Sequence, residues 1–575
     1  MRGLTLLLTL WSGHAIAQID YTLRVDLPAK SVRVSVRLET SESVQEVRIP
    51  AWCPGFYFIQ KYQGKMFDVT ATDANGARLT VRKKDDRGWI VENPEKGAIR
   101  FNYRVLGDDG GLGFFNVSVR NHAAFVNGPA GFVYFPNRMT EPHRLTVELP
   151  PNWQVATSMP SAGSNRYESS DYDEFIDHPI QLGQFERRRF MVGETPFEAV
   201  FVTMGGRVNT NIEAEVQRLE ALSKPAIDFF RQVPFSRYLY IIHLDPGSFD
   251  GGLEHRASCV INTANSEPLM IDELLAHEFF HAWNVKQIRP KVLGPFDYTQ
   301  PVRTANLWFA EGVTDYYAYI TTYRSGLQSE EWLLENLVFK IAELQNSRVR
   351  LQKTLEEVCK GTWETGGFGD GDLSYYTKGL IAGFVFDANI RHASQGKKSL
   401  DDVMRLLFSK HRLPKPGFDE DNLRAVMSEV AGTDLSGLYD TMIRTTKEVP
   451  YEGLSRIGLR LVSPGAQFAS LGFKQREGFV TEVGPELTRA GLRERDRITM
   501  LNGVTLDANN RFDTLKLGDE FEITVARRTE KHSFKGKVKM ETAQGFRLER
   551  DPFAPLEAQY RLRQWLERPS PMSRQ

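Results

Sequence analysis

Apolar and polar residues alternate with a period of two along much of the first two hundred positions. Ile99, Phe101, Tyr103 and Val105 are separated by Arg100, Asn102 and Arg104, and Val32-Val34-Val36-Leu38 and Leu145-Val147-Leu149 repeat the pattern. Side chains two apart share one face of a strand, so each run predicts a half-buried strand. Turn-forming clusters such as Asp73-Ala74-Asn75-Gly76 separate the runs. A β-sandwich-like domain is expected over residues 18–205. From about residue 206 the spacing of apolar positions lengthens to three and four. Helices are predicted over residues 212–230, 271–285, 307–323, 332–346, 400–411 and 423–430, with one strand over 238–243, sequence YLYIIH. A mainly helical domain carrying a small sheet, residues 206–448, fits this order. Alternation returns over 449–545, with Ile498 and Met500, then Phe521, Ile523 and Val525, and a tight turn at Asn502-Gly503. Residues 546–575 are charged and contain Pro569 and Pro571, and are expected to form a docked or frayed tail. The predicted class is multidomain α+β, with no internal repeat.

Composition adds little: the chain has 575 residues and a formal charge of −1, so charge gives no ground for a nucleic-acid partner. Arg2, an apolar stretch over residues 4–11, and Ala15-Ile16-Ala17 before Gln18 have the layout of an export signal over 1–17. The alternative, an uncleaved anchor, needs ~20 apolar residues, and this stretch is far shorter. No cysteine follows the cleavage site to carry a lipid. The mature chain is expected to be periplasmic or secreted, with no membrane span. Cys53, Cys259 and Cys359 allow at most one internal disulfide and lack metal-ligand spacing. They are expected to be mostly buried small apolar side chains.

The chemistry concentrates at His277-Glu278-Phe279-Phe280-His281. Histidines four apart lie one helical turn apart on one face, where both imidazoles can meet a single ion. Glu278 stands where a carboxylate can reach a metal-bound water. The competing reading is two partly buried histidines bonded to backbone or solvent. Glu311 follows His281 by thirty residues, in the apolar segment Leu307-Trp308-Phe309-Ala310-Glu311. A carboxylate beside Trp308 and Phe309 is costly to bury unless paired or metal-bound. It would complete a His, His, Glu zinc site, one Zn2+ per chain, with a position open for water. Asp315, one turn further, is either a hydrogen-bond partner of a ligand histidine or an ordinary surface carboxylate.

These segments, with the overall layout, resemble the glycyl aminopeptidase family of gluzincin zinc metallopeptidases. The resemblance implies an N-terminal β domain, a thermolysin-like catalytic domain, a C-terminal PDZ domain, and a preference for amino-terminal glycine or alanine. Trp52-Cys53-Pro54-Gly55-Phe56-Tyr57 matches a W-x-P-G-x-Y segment of the family; taken alone it is a turn flanked by aromatics, with no chemistry assigned. Gly251-Gly252-Leu253-Glu254-His255 resembles the G-x-M-E-N segment of gluzincin aminopeptidases, departing from it at Leu253 and His255. That likeness implies an edge strand lining the substrate, with Glu254 binding the free amine; a carboxylate is the natural partner for an ammonium. Tyr375-Tyr376-Thr377-Lys378-Gly379, after the loop Gly366-Gly367-Phe368-Gly369-Asp370-Gly371, resembles the Y-x-K-G segment, whose register selects Tyr376 as oxyanion donor. Gly478 to Val483, Ala490-Gly491-Leu492, Asp496-Arg497-Ile498 and Leu501-Asn502-Gly503 look like a PDZ domain, with Arg495 where a glycine is usual. Leu471-Gly472-Phe473 would then receive a peptide C-terminus, or the unit is a structural module. Two alternatives to an aminopeptidase stand: an endopeptidase or small-molecule hydrolase at the same zinc, and a non-catalytic PDZ scaffold.

Overall fold

In a computed structural model the alternating runs become strands of a ten-stranded sheet. The structure describes residues 18–109, 113–247, 249–506 and 512–568; the expected export signal lies outside them. Ser31–Thr40 and Gly97–Leu106 pair antiparallel, with Val34 opposite Tyr103 and Val36 opposite Phe101. The register therefore puts the apolar positions of neighbouring strands on one face. Ile19–Asp26 runs antiparallel to Ser31–Thr40 and parallel to His143–Glu148. A four-stranded sheet contributes Val119, Val126, Ile180 and Leu182 to the same buried core as Leu23, Val34 and Phe101. The N-terminal part is β-rich, as the alternation predicts.

A third sheet has five strands in the order Glu186–Val192, Thr195–Thr203, Tyr238–Leu244, Ser258–Thr263, Gly251–His255. Tyr238–Leu244 is buried along its whole length and runs parallel to both neighbours. A strand covered on both faces reads as a continuous apolar run, which is what YLYIIH is. Gly251–His255 is the edge strand, antiparallel to Ser258–Thr263. The chain forms two compact units, and this sheet belongs to the first, with residues up to Val216, Phe235–Ile271 and Pro295–Pro301. Within the expected 206–448 segment, Tyr238–Leu244 pairs with Thr195–Thr203 and lies in the first unit.

The second unit comprises Gln217–Pro234, Asp272–Gly294 and the chain from Val302. The helix expected over 271–285 spans Asp272–Phe280. Beyond it, Lys286 N–H donates to His281 O at 3.1 Å and Ile288 N–H to Trp283 O at 2.8 Å, a five-residue spacing that winds wider turns. The helix expected over 307–323 opens with a π-helical turn, Trp308–Gly312, and continues as Val313–Arg324. Leu355–Thr365 and Tyr375–Ala393 are helices that periodicity did not announce. The second is buried on nearly every side and so has no polar stripe.

Residues after 470 build a six-stranded sheet with its own core, including Phe473, Val480, Ile498, Phe521 and Ile523. Asn502 and Gly503 both have positive φ, 49° and 76°, as a type I′ turn requires. The charged tail carries a helix, Leu556–Trp565. Trp565 stacks on Phe384 at 5.3 Å and its Nε1 donates to the Tyr316 hydroxyl at 2.8 Å, which docks that helix. All three cysteines are buried and none forms a disulfide. Among the described residues, no helix is long and apolar enough to cross a membrane.

Candidate active site

His281 N–H still donates to His277 O, at 3.3 Å, so the helical path continues past Phe280 and keeps the two rings one turn apart. Their Nε2 atoms lie 2.9 Å from each other. Glu311 Oε2 stands 3.3 Å from His281 Nε2 and 3.6 Å from His277 Nε2. The other ring nitrogens define the protons. His281 Nδ1 is 2.6 Å from Asn284 O, a carbonyl that can only accept. His277 Nδ1 is 2.7 Å from Asp315 Oδ1. His281 Nδ1 therefore donates, and its Nε2 turns a lone pair toward His277 Nε2 and the Glu311 carboxylate. Such a convergence is repulsive unless positive charge sits among the three atoms.

The donor set fits one zinc-type cation. Tetrahedral bonds near 2.0–2.1 Å place donor atoms about 3.3 Å apart, and the observed separations are 2.9, 3.3 and 3.6 Å. Glu311 Oε1 is buried and has no hydrogen-bond partner, a cost that a bound cation offsets. Burial pushes the Glu311 carboxyl pKa up, but His281 and His277 outweigh it and hold it at about 2, so this donor is anionic at neutral pH. Burial likewise opposes a charge on His277; Asp315, Glu311 and Glu278 overcome it and raise its pKa well above the usual imidazole value. The cluster draws positive charge.

The supporting contacts come from two helices and the turn between them. Phe280 stacks on Tyr317 at 4.5 Å and Trp283 on Phe230 at 4.9 Å, fixing the histidine helix against its neighbours. Asn284, fully buried, was not singled out by any motif. Its carbonyl orients His281, while its Nδ2 donates to Phe309 O at 2.8 Å and to Thr314 Oγ1 at 3.1 Å. It thus fastens the turn after the histidines to the segment bearing Glu311. The available signal was a polar residue directly after the buried Ala282 and Trp283. Glu278, next to His277, is buried on the same helix.

Tyr376 reaches the cluster because two backbones touch. A Cβ on Gly379 would lie 2.5 Å from Trp308 O, and one on Gly312 would lie 2.5 Å from Gly379 Cα. Only glycine permits this approach of Tyr375–Ala393 to the π-helical turn. It places the Tyr376 ring 6.2 Å from the His277 ring. Tyr375 points elsewhere: it is buried and its hydroxyl donates to Gly367 O. Gly251, Gly252 and Glu254 lie on the edge strand of the first unit, where Glu254 is buried and Leu253 enters the sheet's core.

The sequence matches the Peptidase M61 N-terminal domain over residues 20–184 and the M61 glycyl aminopeptidase domain over residues 271–382. No curated protein matches the chain. An aminopeptidase N family protein from Idiomarina loihiensis aligns with 96% of this chain and 100% of its own, at 22% identity and a TM-score of 0.75, and shares the fold. An M1 zinc metallopeptidase from Deinococcus radiodurans aligns with 76% of this chain and 95% of its own, at 16% identity and a TM-score of 0.49. Both M61 segments occur in order along one chain, and the second contains the histidine helix, Glu311 and Tyr376. The chain carries the N-terminal and glycyl aminopeptidase domains of peptidase M61 and is a metallo-aminopeptidase.

Proposed function

We propose that the protein removes the first residue of peptides, using one zinc ion held by His277, His281 and Glu311. The observation that carries this is the convergence of those three donor atoms, with Glu278 buried on the same helix. Zinc bound there supplies Lewis acidity, acidifying water and polarising the scissile carbonyl. Glu278 takes a proton from the attacking water and delivers it to the leaving amine. The Tyr376 hydroxyl donates to the developing oxyanion. Asp315 and the Asn284 carbonyl hold the two imidazoles in their ligating tautomer. Glu254 pairs with the substrate ammonium, and Gly251 and Gly252 leave an open strand edge against which an extended peptide pairs. The likeness to glycyl aminopeptidases favours amino-terminal glycine or alanine as the residue removed.

Turnover of aminoacyl substrates with free and acetylated amines tests this reading. The wild-type protein is expected to favour the free amine by about ten- to a hundredfold, the worth of one charge-assisted hydrogen bond, and Glu254→Ala to lose most of that preference. Equal turnover of blocked substrates by the wild type would point instead to an endopeptidase or a small-molecule hydrolase.

The same reading takes residues 449–545 as a PDZ-like module that receives a peptide C-terminus. Its support is an edge strand, Phe473–Arg476, entered through Gly472 at φ 76°. Binding of peptides to the whole protein should weaken on C-terminal amidation; equal binding of both forms would make the unit a structural module.

A further inference from the structure

The segment from Trp52 to Tyr57 has so far only a family likeness. In the structure it is a tight turn: Phe56 N–H donates to Cys53 O at 3.1 Å, and Gly55, after Pro54, has φ +93°. Proline followed by a left-handed glycine is the type II arrangement. The turn is rigidly mounted. Trp52 is fully buried, its Nε1 donates to Asp297 O at 2.9 Å, and its ring meets Phe296 edge-on at 5.6 Å. Ala51 N–H donates to Tyr298 O at 2.8 Å.

This turn presses on Glu254. A Cβ on residue 55 would lie 2.5 Å from Glu254 Oε2, 2.9 Å from Glu254 Cδ and 2.6 Å from Leu253 Cδ1. A side chain there would push aside the Glu254 carboxylate and the Leu253 methyl. Both partners belong to the first unit, although nearly two hundred residues separate them in sequence.

We infer that Gly55 is a positioning residue: the Pro54-Gly55 turn is a backstop that sets the Glu254 carboxylate for the substrate's amino terminus. The inference rests on Glu254 as amine anchor. A glutamate side chain has several rotatable bonds, and a wall behind its carboxylate reduces the freedom lost when an ammonium binds. The turn alone does not account for the glycine's full role. A type II turn also accepts asparagine at this corner, whereas a Cβ here would displace the Glu254 carboxylate and the end of the Leu253 side chain.

The test compares Gly55→Asn, Glu254→Ala and the double variant on an aminoacyl anilide and on its des-amino counterpart. Gly55→Asn is expected to raise KM for the aminoacyl substrate about tenfold, within the range of one charge-assisted hydrogen bond, and to leave the des-amino substrate nearly unchanged. In the Glu254→Ala background the same change should cost nothing further. A folded Gly55→Asn protein with unaltered aminoacyl KM would overturn the inference, as would equal losses on both substrates in both backgrounds. If Gly55→Asn does not fold, near-UV circular dichroism of the double variant decides. Recovery of structure supports the contact with Glu254, and continued failure assigns Gly55 to the turn alone. Failure of the anchor reading has a separate signature: Glu254→Ala by itself would leave the ratio of aminoacyl to des-amino turnover unchanged.

Discussion

Replacing Glu278 with alanine should lower kcat about a thousandfold or more while leaving the bound zinc in place. Transfer of a proton by a positioned group contributes about 10²–10⁴-fold, and in the proposed mechanism one carboxylate serves both the attacking water and the leaving amine. A thousandfold loss corresponds to about 4 kcal/mol of transition-state stabilisation. In the proposed site the donor atoms come from His277, His281 and Glu311, so removing Glu278 should subtract no ligand. Steady-state kinetics with zinc content measured on the same sample checks both halves. Undiminished activity in Glu278→Ala would rule out the mechanism, and peptide binding without cleavage in the wild type would favour a scaffold.

Glu311→Gln should release the metal. The amide keeps the shape of the carboxylate but removes the one negative charge held among two imidazoles. Partners that only orient a ligand cost about 10–100-fold in affinity when removed. Loss of a charged direct donor should therefore exceed a hundredfold or so, read by competition with a zinc-chelating dye. Activity should fall in parallel and return partly at high added zinc. An affinity within a few-fold of wild type would show that the carboxylate is not a ligand.

Much of the site was legible because its chemistry follows local geometry. The histidines are four residues apart on a helix, and Glu311 announces itself as an acid set among Trp308, Phe309 and Ala310, all buried. Long-range features were less legible. Tyr375–Ala393 carries Tyr376, yet its residues from Thr377 to Arg391 are all buried, so no apolar stripe marks it as a helix. Its two early glycines, Gly379 and Gly383, also weaken the helical signal. Leu355–Thr365 did carry a local signature, the Thr354-to-Glu357 capping box. The parallel pairing of Ile19–Asp26 with His143–Glu148 joins segments that no local pattern connects. Gly55 and Glu254 belong to the same category: each lies in a recognisable motif, but their contact exists only once the first unit has folded.

Everything proposed for catalysis depends on two imidazoles and one carboxylate meeting around one cation. Anomalous diffraction at the zinc absorption edge, on crystals of the purified wild-type protein, addresses that directly. One strong peak is predicted, bonded at about 2.0–2.2 Å to His277 Nε2, His281 Nε2 and a Glu311 oxygen. Zinc located elsewhere, or a peak at the histidines with the Glu311 carboxylate turned away, would contradict it.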